Sequence, residues 1–245
     1  MKLKKKEILV TGGSKGLGLA LVRLLVESKK FNVSVVSRSF QEKKILKKIS
    51  FYRCNILIRN DFSKLKKKIA NKTFDTVAHC IGGGLGIRSA ASPWSLWSKS
   101  LFFNAGYIID LNNTIIRNMK KNNTDGKILH ISSYSSIDGG PDFKKFGGAA
   151  PYTCSKAFLN MYIKTASKEF KHDKISFTGI LPGPILLKHK HWFKLKKNNL
   201  EMFKKFQKDY MKNKKFLTPE KVGKFVFRVS KMSREKINSK LFVIR

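Results

Sequence analysis

The stretch EILVTGGSKGLGLALVRLLVES, Glu7 to Ser28, decides the fold. Its first third is short, apolar and β-branched, and reads as a buried strand over 7–13 that runs into glycines. Its last half is apolar at helical spacing and reads as a helix over 17–28. Between them lies Thr11-Gly12-Gly13-Ser14-Lys15-Gly16-Leu17-Gly18. Glycines allow a tight turn and close backbone approach. The helix that follows offers N–H groups with no partner inside the helix. Such a turn suits a pyrophosphate, and the strand before it and helix after it are the context that separates it from an ordinary connection.

The same alternation continues outward. Strands are predicted over 31–39, 50–56, 74–84, 126–133, 174–183 and 239–244. Helical patterns fill 61–71, 95–121, 151–170 and 218–230, with a basic amphipathic piece at 41–49. The segment 186–215 is polar, basic and helical in character. Thr218, Pro219 and Glu220 stand in the order of an N-cap and the first two helical positions. Strand–helix alternation of this kind means an α/β fold: one doubly wound, Rossmann-type domain over 1–245, with a parallel sheet of about seven strands and helices on both faces. No internal repeat or Pro/Ser-rich linker divides the chain.

Composition sets limits. Hydrophobic residues make up 42% of the 245, enough for a core. The 52 Lys and Arg against 15 Asp and Glu give a net charge of +37. That raises nucleic acid as a partner, but the basic residues are spread along the chain as short runs, with no zinc-finger spacing or RNP signature to organise them. Dedicated nucleic-acid binding is therefore not expected. An anionic small molecule gains from the same field without a special motif. Three cysteines with no C-x-x-C pairing predict neither a disulfide framework nor a metal site. The apolar run after the charged N-terminus is too short for a signal peptide, and nothing approaches a membrane span, so a cytoplasmic location is expected.

The glycine spacing is T-G-x-x-x-G-x-G, and a tyrosine and lysine stand as Y-x-x-x-K in PYTCSK, Pro151 to Lys156. In both, and along nearly its whole length, the chain resembles the short-chain dehydrogenase/reductase family, classical type. That resemblance implies hydride transfer between a nicotinamide dinucleotide and a ketone or secondary alcohol. It implies Tyr152 as general acid/base, Lys156 lowering the phenol pKa and holding ribose, Ser133 stabilising the oxyanion, and Asn104 supporting a proton relay. A phenol titrates near ~10 by itself, so the role needs a nearby cation. The cofactor-binding residues it implies are Gly12, Ser14, Lys15, Gly16, Leu17 and Gly18 in the turn, with Ser37 and Arg38 after the second strand. Asn55 and Ile56 follow the third strand, Ile81, Gly82 and Gly83 the fourth, and Pro182, Gly183 and Ile185 the sixth, with Tyr152 and Lys156 completing the set.

No acid stands between Val33 and Phe40, where one would bind a ribose 2′-hydroxyl, whereas Arg38 and Lys15 suit a 2′-phosphate. NADP(H) is expected, with NAD(H) possible. Departures from the family are His79-Cys80-Ile81-Gly82 for the usual N-N-A-G, Leu187 for a usual Thr, and an enlarged loop between Ser133 and Tyr152. His79 ends an apolar strand and reads as structural rather than as a base. The segment 186–215 is the expected substrate lid, and its Lys188, His189, Lys190, His191, Lys194, Lys196 and Lys197 suggest an anionic substrate such as an acyl thioester or sugar derivative. A merely solvated basic face is the alternative. The family implies a homodimer or homotetramer. The rival to the enzyme reading is a cofactor-sensing or RNA-binding protein on the same fold.

Overall fold

The computed structural model describes residues 4–146, 148–188 and 191–245. Seven strands form one sheet: β1 (Lys6–Thr11), β2 (Phe31–Ser37), β3 (Ser50–Arg53), β4 (Thr76–His79), β5 (Gly126–Ile131), β6 (Ile175–Pro182) and β7 (Leu241–Ile244). Their order is β3-β2-β1-β4-β5-β6-β7, and every neighbouring pair is parallel. The longer helices are α1 (Gly16–Glu27), α2 (Arg59–Ile69), α3 (Trp94–Leu101), α4 (Tyr107–Lys121), α5 (Ala150–Glu169), α6 (His191–Asn198), α7 (Leu200–Asp209) and α8 (Pro219–Lys231). Single helical turns occur at Lys43–Leu46, Ser135–Asp138, Phe143–Phe146 and Arg234–Ile237. No helix among the described residues is long and apolar enough to cross a membrane.

The chain winds outward in both directions from β1. β2 and β3 lie on one side of it and β4 to β7 on the other, so the switch point falls between β1 and β4, where the crevice of such a sheet binds ligands. Helices cover both faces, which is why β5 and β6 are buried along their whole length and read as continuous runs rather than alternating ones. On one face α1 and α8 bury Leu21, Val22, Leu25, Val222, Val226 and Val229 against β1, β2 and β5. Each such side chain contributes about 1.5–3 kcal/mol on burial. The two helices approach closely at Gly223, where a Cβ would lie 2.8 Å from Ala20 Cβ and 3.0 Å from the Leu21 nitrogen. On the other face α2, α4 and α5 pack Phe62, Leu65, Leu111, Ile115, Leu159 and Ile163.

A charge in the middle of this sheet has a stated use. Lys127 of β5 is buried, and its Nζ donates to the carbonyls of Ser230 at 2.7 Å and Met232 at 3.0 Å. It caps the C-terminal end of α8, where carbonyls lack helical partners and a cation is favoured. The start of α8 is capped as expected: the Thr218 hydroxyl accepts from the Lys221 N–H at 3.2 Å, with Pro219 at the first helical position.

One element differs from expectation. The helix expected over 95–121 is interrupted by a π-helical turn, Phe102–Gly106, between α3 and α4. Gly126 closes on Met119, with its Cβ position 2.6 Å from the sulfur, so α4 is held tight to β5 downstream while the wider turn takes up the extra residue. The segment 186–215, expected to be helical, holds α6 and α7, divided at Asn199, whose side chain caps α7 by accepting from the Met202 N–H at 2.9 Å. His189 and Lys190, expected in the lid, lie outside the described residues.

Candidate functional site

The strand ends at the switch point bring the predicted residues to one edge. Gly12 and Gly16 have φ of +73° and +55°, a region that favours glycine. A Cβ on Gly18 would overlap the Gly12 carbonyl oxygen, so the first turn of α1 packs on the loop more closely than any side chain allows. Ser14, Gly16 and Leu17 are half-buried and Lys15 is exposed. Lys15 is the N-cap residue, in extended conformation, and no side chain caps the helix. The first N–H groups of α1 are thus left for a ligand. Leu187 approaches this turn: a Cβ on Gly16 would lie 3.2 Å from its Cδ2.

At the far end of the crevice, Ser37 is buried and donates its hydroxyl to the Ser39 carbonyl at 2.8 Å. It is therefore committed to the backbone, unlike the exposed Arg38 beside it. The β2–β3 register sets Arg53 opposite Ser37. Arg38, Arg53, Asn55, Ile58 and Asp61 line one open basin there. The Asn55 side-chain oxygen accepts from the Leu57 N–H at 3.2 Å, forming a local turn, which leaves its second lone pair and the amide donors for a ligand. Asp61 accepts from the Asn55 N–H at 3.2 Å, and Ile56 is buried below. Sequence reading missed Arg53 and Asp61. The signal for Arg53 was its place at the end of β3, directly before the Cys54-Asn55 pair that drew attention.

After β4 the chain enters the glycines. A Cβ on Gly82 would lie 3.0 Å from both Lys156 Nζ and Asn104 Oδ1, so the two side chains converge on that glycine. Asn104, in the π-helical turn, is fully buried. Its Oδ1 accepts from the Gly83 N–H at 2.8 Å, and its Nδ2 donates to the Gly83 carbonyl at 3.1 Å and the Ser100 carbonyl at 3.0 Å. The side chain clamps the Gly82–Gly83 loop. Ile81 lies half-buried beside it and accepts from the Tyr107 hydroxyl through its carbonyl at 3.3 Å.

Ser133 lies two residues past the end of β5, half-buried, with its hydroxyl 2.9 Å from that of Ser135. Tyr152, whose phenol lies near Ser133, stands in the first turn of α5. Lys156, one turn further, is buried, and its Nζ donates to the Ile131 carbonyl at 2.7 Å and lies 5.9 Å from the Tyr152 ring centre. Burial raises the Tyr152 pKa, with the nearby Ser133 hydroxyl opposing it, and burial lowers that of Lys156 to about 7. Pro182 accepts from the Tyr134 N–H at 3.0 Å, Gly183 donates to the Ile244 carbonyl at 2.8 Å, and Ile185 bridges Leu217, so β7 and the segment before α8 pin the loop after β6.

His79 is fully buried, with Nε2 2.9 Å from Asn112 Oδ1 and its ring stacked on His130 at 5.4 Å. It faces the core, not the crevice. The enlarged loop after Ser133 joins the segment beyond α5. Phe146 packs edge-on to Phe206 at 5.3 Å, Lys145 pairs with Asp209 at 2.8 Å, and Tyr210 donates to Asp138 at 3.0 Å. Of the basic residues expected to face a substrate, Lys188, Lys194, Lys196 and Lys197 are exposed, and His191 Nε2 lies 3.2 Å from the Phe146 carbonyl.

Comparison with known proteins agrees with this arrangement. The 3-ketodihydrosphingosine reductase of Dictyostelium discoideum is 23% identical over 207 residues, 74% of this chain, and the chain spans 60% of that relative's length. A 3-oxoacyl-[acyl-carrier-protein] reductase of Chlamydia muridarum is 28% identical over 195 residues, 74% of each chain. Among solved structures, a short chain dehydrogenase from Leptospira borgpetersenii with bound NAD+ superposes with a TM-score of 0.82 at 17% identity, covering 98% of this chain and 91% of that one. L-sorbose reductase from Gluconobacter frateurii, complexed with NADPH and L-sorbose, superposes at 0.80 with 18% identity, covering 100% and 96%. Those two likenesses are of fold. The family model for short chain dehydrogenases matches residues 6–195, and with the fold and crevice described the chain belongs to the short-chain dehydrogenase/reductase family.

Proposed function

We propose that this chain is an NADP(H)-preferring oxidoreductase that interconverts a ketone and a secondary alcohol. The observation that carries the reading is the convergence of Lys156 Nζ and Asn104 Oδ1 on Gly82, with Ser133 and Tyr152 on the same strand edge as the uncapped N-terminus of α1.

The residues fit a dinucleotide. Gly12, Gly16 and Gly18 let the turn pack more tightly than side chains would allow, and the free N–H groups of α1 suit a pyrophosphate. Arg38 and Arg53 flank the basin where a 2′-phosphate would sit, Lys15 stands at the turn, and β2 carries no acid. The bound nicotinamide would supply or accept the hydride. The chain's own part is to hold the carbonyl oxygen between Ser133 Oγ and Tyr152 Oη, to stabilise the charge developing there, and to deliver the phenolic proton to it. Lys156, when protonated, favours the phenolate left behind and suits a ribose hydroxyl. Asn104 positions Gly82 and Gly83 against the lysine. We read the chain as one domain, with 186–215 as its lid, assembled as a homodimer or homotetramer. The test is oxidation of NADPH and of NADH against a panel of ketones, in wild type and Tyr152→Phe. Turnover that survives the substitution would refute the catalytic assignment.

A further inference from the structure

We propose that a small cavity beside Ser133 is an anion site, which holds a carboxylate or phosphate at the far end of the carbonyl substrate through Lys214, Lys215 and Arg245. The substrate part of this inference rests on the reductase reading. The cavity lies between Tyr134, Pro184, Tyr210 and these three cations. Tyr134 is the residue after Ser133, and its N–H is bonded to the Pro182 carbonyl, so one wall of the cavity is the chain that leads out of Ser133. Its volume of about 30 Å³ suits one small anionic group and not a ring.

Three features argue that the cations are placed rather than merely present. The Arg245 guanidinium lies 3.2 Å from the centre of the Tyr134 ring, which holds its planar fork in one orientation over the cavity. The turn that presents Lys214 and Lys215 is unusual: Lys212 and Asn213 both have positive φ, 48° and 60°. Such a conformation persists only where its surroundings hold it. Here the Gln207 carbonyl accepts from the Asn213 N–H at 2.9 Å, and Gln207 Nε2 donates to the Lys214 carbonyl at 3.1 Å. Finally, no Asp or Glu side chain lines the cavity. The acids nearby are engaged elsewhere: Asp138 accepts from the Tyr210 hydroxyl and Asp209 pairs with Lys145. Among the described residues none of the three cations forms a salt bridge. The site differs from the basic lid suggested by sequence: Lys194, Lys196 and Lys197 lie on α6 and do not line it.

The test uses 4-oxopentanoate and its methyl ester, which share a ketone and differ in one charge. Binding of each to the full chain with NADP+ is measured by calorimetry at two salt concentrations. The acid should bind about tenfold more tightly than the ester, a gain typical of a charge-assisted pair. Lys214→Gln/Lys215→Gln and Arg245→Gln should each remove most of that preference. Lys194→Gln/Lys196→Gln, which removes as many positive charges as the Lys214/Lys215 pair but leaves the cavity intact, should keep it. Equal affinity for acid and ester, or equal loss in the control variant, would overturn the anion site. Oxidation of NADPH by the two compounds is followed separately. Acid-selective binding without turnover would uphold the anion site and count against the reductase, whereas turnover of both with no binding preference would do the reverse.

Discussion

His79 and His130 make this protein's stability depend on pH in a calculable way. Both rings are fully buried in the core beneath the crevice, stacked on each other, and His79 Nδ1 and His130 Nε2 have no hydrogen-bond partner among the described residues. Burial lowers the His79 pKa to about 4, and lowers that of His130 well below its ordinary value; Lys156 adds to both shifts and His79 to that of His130. In the unfolded chain both titrate near ~6.5. The unfolded state therefore binds more protons than the folded one between about pH 6.5 and 4, and stability must fall as the pH falls through that window. From His79 alone, moving from pH 7 to pH 5 costs about 2 kcal/mol, because the unfolded ring gains about 30-fold in protonation weight while the folded ring gains almost none. His130 adds in the same direction. Lys156, also neutralised by burial, acts above pH 7 and leaves this window clear.

The assay is urea unfolding of wild type and His79→Asn at both pH values. Asparagine retains a donor for Asn112 and does not titrate. The small cavity it leaves costs the same at both pH values, and so cancels in the comparison. Wild type should lose at least ~2 kcal/mol on acidification and the variant about 2 kcal/mol less. Identical pH dependence in the two proteins would refute the claim that the His79 ring is buried neutral. Since β4 leads straight into the Cys80–Gly83 loop, loss of cofactor binding should accompany the unfolding rather than precede it.

Four further outcomes are expected. Tyr152→Phe should lower kcat by ~10²-fold or more, as expected for loss of a general acid, with NADPH affinity unchanged in a fluorescence titration. Gly18→Ala places a methyl group on the Gly12 carbonyl and should abolish dinucleotide binding, read by the same titration, while the far-UV spectrum stays intact. Arg38→Asp should turn the NADPH preference towards NADH, and Arg53→Gln should weaken NADPH about tenfold while leaving NADH unchanged; parallel changes for both cofactors would count against a 2′-phosphate contact. NADPH binding should weaken as the pH rises through about 7, where Lys156 loses its proton, and Lys156→Gln should flatten that profile.

The chain announces much of its fold through local signals. The strand-turn-helix at Glu7–Ser28, the Thr218-Pro219 helix start and the alternation of apolar runs are short-range patterns, and each appears where expected. The glycine turn and the Tyr152–Lys156 spacing are local signals of the same kind, legible without contacts, and the remaining candidate site residues follow from the family resemblance that these motifs carry. What only the tertiary structure decided depends on residues far apart in the chain. Parallel register brings Arg53 beside Arg38. A π-helical turn aims Asn104 at Gly83, 21 residues away. The Lys214–Arg245 cavity is assembled from four separate stretches of the chain. Desolvation is likewise a property of packing: no sequence pattern says that Lys156 is buried, yet burial lowers its pKa to about 7. Sequence names the ionisable groups, but their charge is set by how much water the folded chain leaves around them.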